Sequence, residues 1–102
     1  MNANSHRRKA LGNYLKSRRT KLAPGKVGLP SGHTRRRTPG LRREELADMA
    51  GVSLSWYTWL EQGCDIHVSK EVLASVGRAL KLNGGKYRQV MNLAQFPVSS
   101  DR

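Results

Sequence analysis

Acidic residues are missing from the first part of the chain. Met1–Arg43 carries no Asp or Glu against 13 Lys and Arg, and the first carboxylate is Glu44. Cysteine occurs once, as Cys64, which excludes an internal disulfide framework and a four-cysteine zinc site. No run approaches the roughly 18 apolar residues of a membrane span. No apolar segment follows the basic N-terminus, so no signal peptide is expected, and the expected compartment is the cytoplasm, at the nucleoid. Strand-like alternation and internal repeats are also missing. His6, His33 and His67 are scattered and lack metal-ligand spacing, even with Cys64 three residues before His67. No Ser/His/Asp set or paired carboxylates stand out, so neither an enzyme, a metal site nor a cofactor is expected.

What is present is charge. The 102 residues carry +12, an imbalance that draws a protein to polyanions, above all nucleic acid. Acidic membranes are a weaker partner, because the first helical segment has no large apolar face. Apolar residues are 37% of the chain, enough for one small domain.

Met1–Ser5 reads as a tail. Leu11, Tyr14, Leu15 and Leu22 recur at helical spacing and predict a first helix over 6–22, ended by Pro24-Gly25. Residues 23–40 read as a long basic arm, with Pro24, Pro30, Pro39 and the triplet Arg35-Arg36-Arg37. A helical hairpin follows over 41–63. Its first helix is predicted over 41–50, with Glu44 and Glu45 in the first turn, where the helix dipole favours anions. Gly51-Val52-Ser53 breaks the pattern, and Ser53 is a good N-cap. The next helix spans 54–62, with Gly63 as its stop. Ser69 starts a fourth helix reaching Leu82, on the face Val72, Leu73, Val76, Ala79 and Leu80. Asn83-Gly84-Gly85 reads as a turn, residues 86–94 as a fifth helix, and 96–102 as a tail. The fold class is therefore all-α.

Counting from Arg43, Ala47 is fifth, Gly51 ninth, Tyr57 fifteenth and Leu60 eighteenth. Packing gives that spacing a meaning. The fifth position must be small where a second helix crosses, the ninth suits a left-handed Gly, and the last two anchor the second helix in the core. A wheel at 100° per residue puts Tyr57 and Leu60 on one side with Trp56 at its border. Ser55, Thr58, Trp59 and Gln62 fall on the other side, with Leu54 at the helix start.

The runs from Gly40 to Ser53 (GLRREELADMAGVS) and from Trp56 to Gly63 (WYTWLEQG) resemble the phage-repressor-type (XRE) helix-turn-helix regulators of bacteria. Val27-Gly-Leu-Pro30 and Arg35-Arg-Arg-Thr-Pro-Gly40 are similar to the subgroup whose domain precedes a PAS-like, MmyB-type ligand-binding domain. The resemblance implies a five-helix lambda-repressor-like domain that binds an operator in double-stranded DNA as a homodimer. It implies base contacts from Leu54, Ser55, Thr58 and Trp59. Phosphate contacts would come from Arg42, Arg43 and Gln62, and Glu61 would pair with a basic residue of the first helix, by position Arg19. Charge adds Arg35, Arg36 and Arg37 as phosphate contacts or a minor-groove insertion. Two positions depart from the pattern: many relatives have Arg where Trp59 and Cys64 stand. An effector would need a C-terminal domain outside these residues. A protein-interaction or antitoxin-like module with secondary DNA binding is the alternative function, and a nucleic-acid packaging protein a third. The partly apolar faces of the last two helices, at Tyr87, Met91 and Phe96, are candidates for a dimer contact.

Overall fold

The computed structural model describes residues 3–28 and 40–96. Among these residues the secondary structure is entirely helical: α1 (Ala3–Lys21), a 3-10 turn (Pro24–Val27), α2 (Arg43–Ala50), α3 (Leu54–Gln62), α4 (Lys70–Ala79) and α5 (Gly84–Leu93).

The first helix starts at Ala3 and not at His6, so Ala3–Ser5 belong to it rather than to a tail. Once a helix is nucleated each further residue adds a backbone bond, and neither Gly nor Pro stands in the way here. Leu11, Leu15 and Arg19 step by four and share the buried face of α1. Pro24 opens a 3-10 turn inside what reads as arm.

Two helix boundaries differ from those expected. Leu41 is fully buried but precedes α2, which starts at Arg43 and not at Leu41. The backbone N–H of Arg42 donates to the Glu45 carboxylate (2.8 Å), one half of a capping box. The stretch Asn83-Gly84-Gly85 is the start of α5 rather than a turn. Asn83 is its N-cap and accepts from the Lys86 N–H at 2.9 Å. The turn falls earlier, because α4 stops at Ala79 and Lys81 takes a left-handed φ of 56°. Ser69 caps α4 by accepting from the Val72 N–H.

α1 packs on α3 and α5, α2 on α3 and α4, and α4 on α5. The centre holds Leu15, Leu41, Leu46, Tyr57, Leu73, Val76, Val90 and Met91, all essentially without solvent contact. Met91 therefore has no exposed part to offer a dimer contact, whereas Tyr87 and Phe96 are half-buried at the core margin. α3 is held from one side by α1 and from the other by α2, which leaves its opposite face to solvent.

Candidate nucleic-acid interface

The turn between α2 and α3 is specified locally. Gly51 takes φ 75°, a conformation that costs a side-chain-bearing residue energy. Its N–H donates to the Asp48 carbonyl and that of Val52 to the Ala47 carbonyl, the paired bonds of a Schellman ending. Ser53 then caps α3 by accepting from the Trp56 N–H at 3.0 Å. Ala47 is buried, and Tyr57 and Leu60 face the core. The second helix is thereby held at one angle to the first.

The side of α3 facing away from the core carries Ser55, Trp59 and Gln62, all exposed, with half-buried Thr58 beside them. Leu54 lies at the helix start and is 46% exposed; Trp59 is 48% exposed. No charged side chain falls on this stripe. Trp56 is half-buried at the core margin and its indole N–H donates to the His67 carbonyl (3.3 Å). Arg42 and Arg43 sit half-buried at the start of α2. The triplet Arg35, Arg36 and Arg37 lies outside the described residues.

Beneath α3 lies an ion-pair network. Arg19 donates to Glu61 from Nε (2.6 Å) and from Nη2 (3.1 Å), a bidentate pair. Its Nη1 donates to the Leu41 carbonyl at 2.7 Å. Arg43 adds a third bond to Glu61, from Nε at 3.0 Å. The Glu61 side chain is 1% exposed and that of Arg43 40%. Burial alone would raise the Glu61 carboxyl, but the hydrogen bonds and charge of Arg19, with Arg43 adding, outweigh it and hold the carboxyl below its usual range. Burial likewise opposes the charge on Arg19, and Glu61 reverses that, leaving the guanidinium more firmly protonated. Burial and the neighbouring negative charge of Glu61 push the Tyr57 phenol far up. One carboxylate thus joins the end of α1, the start of α2 and the last turn of α3.

A family model described as a helix-turn-helix domain matches residues 10–89. The chain belongs to the helix-turn-helix domain family. No curated protein and no solved structure matches it. The family makes it a DNA-binding domain, and in the helix-turn-helix arrangement α3 is the second, outward-facing helix.

Two residues of this helix-turn-helix domain escape a reading of the sequence alone. Gly12 lies in the interior of α1, where a methyl group would land on the Glu61 carbonyl oxygen. It lets α1 approach α3 closely enough for Arg19 to reach Glu61. A Gly inside a helical pattern costs about 1 kcal/mol against Ala, which is a signal that packing requires it. Arg8 donates from Nε to the Gly63 carbonyl (3.2 Å), placing a cation at the negative end of the α3 dipole. Among many basic residues nothing in the sequence distinguishes Arg8.

Proposed function

We propose that this protein is a sequence-specific transcriptional regulator of the phage-repressor (XRE) type, which lays α3 in the major groove of double-stranded DNA. The observation that carries the reading is an exposed, uncharged outer face on a helix-turn-helix whose flanking elements are basic. In this division of labour Leu54, Ser55, Thr58 and Trp59 meet base edges, and cations hold the backbone. Arg42 and Arg43 stand at a helix N-terminus, where the dipole disfavours cations by roughly 0.3–1 kcal/mol each. A phosphate opposite them removes that conflict. Arg43 offers a guanidinium only partly engaged by Glu61, so one carboxylate orients a phosphate ligand and braces the recognition helix together. Gln62 and the Arg35–Arg37 triplet add further phosphate contacts.

The regulator binds a pseudo-palindromic operator as a homodimer in the bacterial cytoplasm, and an effector would act only if a C-terminal domain, of the MmyB type, existed outside these residues. The test is binding to labelled duplexes selected from a random pool and to unselected ones, at two salt concentrations. Tighter binding to the selected duplexes at both concentrations is the expected result. Equal affinity for every duplex refutes sequence-specific regulation.

A further inference from the structure

The outer face of α3 is unusual chemically, and resting on the operator reading above, we infer that it recognises the C5-methyl group of thymine, so that each half-site holds T·A pairs read by Trp59 and Leu54. The side chains that read bases by paired hydrogen bonds are Arg or Lys on guanine and Asn or Gln on adenine. None of these occupies the first two turns of α3, and Gln62 is its last residue. Two large apolar side chains stand there instead, each about half exposed. The apolar feature of the major groove is the thymine methyl.

Trp59 fits that base in a second way. Its indole joins an apolar ring to one N–H donor. Thymine presents a methyl beside the O4 acceptor, so a single indole covers the methyl and donates to O4. Leu54 has no donor and covers a methyl alone. Their Cα atoms are five residues apart, about 7.5 Å along the helix axis and about 140° around it, so the two side chains reach different base pairs. Ser53 caps α3 and Tyr57 and Leu60 anchor it, so the two side chains are presented from a fixed backbone.

The experiment uses the whole chain and the tightest duplex from a random-pool selection. Each thymine in turn is replaced by deoxyuridine, which keeps the pairing and removes only the methyl. Anisotropy at one fixed salt concentration gives the dissociation constants. Losing one buried methyl should weaken binding about fourfold. Trp59→Ala should erase the penalty at one position and Leu54→Ala at the other. Each residue is about half exposed, so both variants should stay folded with the parent's helicity by circular dichroism and only a modest fall in melting temperature. Where a sensitive T·A pair is changed to C·G, methylating that cytosine at C5 should recover part of the loss. Selective binding with no uracil penalty at any position overturns the methyl reading and leaves the operator reading standing. Equal binding to all duplexes overturns both. Should the two variants instead change self-association of the DNA-free protein and leave the uracil profile intact, the patch is a protein interface and the inference fails.

Discussion

Replacing Glu61 by Gln keeps the shape of the side chain and removes its charge. The carboxylate accepts three hydrogen bonds from two guanidinium groups, two of them from an Arg19 whose side chain is 7% exposed. A Gln oxygen can keep only part of this set, and its NH2 group is turned toward a donor. Arg19 is left as a buried cation with the Leu41 carbonyl for company. Breaking a buried pair in this way costs about 3–5 kcal/mol. A domain of this size has about 5–15 kcal/mol in total, so the loss is a large share. At about 4–8 °C per kcal/mol the melting temperature should fall by more than 12 °C. Arg43→Met should cost about 1 kcal/mol or less, because that partner is 40% exposed. Arg19→Met should fall between the two, since Glu61 keeps Arg43. Thermal melts followed by circular dichroism, with urea titrations for the free energies, measure all three. A Glu61→Gln protein melting within about 5 °C of the parent, or an Arg43→Met protein as damaged as Glu61→Gln, would contradict a buried pair centred on Arg19 and Glu61.

Gly12→Ala ordinarily gains helix propensity of about 1 kcal/mol, but here the methyl meets the α3 backbone and the substitution should destabilise by about 1–3 kcal/mol, read by calorimetry. Ser53→Ala removes the cap of α3 and should cost about 1 kcal/mol in urea titration, with the folded helicity unchanged. Arg42→Gln should weaken DNA binding alike on all sequences and reduce the slope of log affinity against log salt by about 1. Stability should depend on pH at both ends. The Glu61 pKa is lowered by folding, so its contribution is complete above the unfolded carboxyl value of 4.5 and is lost as pH falls from there through the folded value. Tyr57 is raised from 10.0, so stability is retained below that pH and declines above it as the unfolded phenol ionises. A melting temperature unchanged on either side of these limits would contradict the buried arrangement.

Much of the fold was legible because the local signals agree with one another. The caps Ser53 and Ser69, the stop at Gly63 and the spacing of Ala47, Gly51, Tyr57 and Leu60 each act within one or two turns of backbone, so they can be read along the chain. Some errors fall where a distant contact decides, others where one local signal has two readings. Leu41 belongs to the apolar pattern of α2, yet it is drawn out of the helix to fill the core, tied to Arg19 by its own backbone on both sides. Asn83-Gly84-Gly85 has turn composition, but a cap followed by two glycines serves equally well as a helix start. Lys81 carries the left-handed turn that a composition argument assigns to glycine. Met91 reads as available for a dimer contact because it lies on the partly apolar face of the last helix, whereas packing encloses it.

By itself the sequence determined an all-helical chain, the two-helix reading unit and a charge divide that ends where α2 begins. Those follow from periodicity, capping and composition, which need no knowledge of what lies across the molecule. The tertiary structure alone decided that Gly12 is a contact point and that one carboxylate, Glu61, is shared by Arg19 and Arg43. It also decided that Arg8 closes the far end of α3. These depend on which surfaces of α1 and α3 meet and how near they come. The charge divide thereby gains an internal link: Arg19 and Arg43, both from the acid-free part, are fixed by Glu61 at the back of the helix whose uncharged front is offered to DNA.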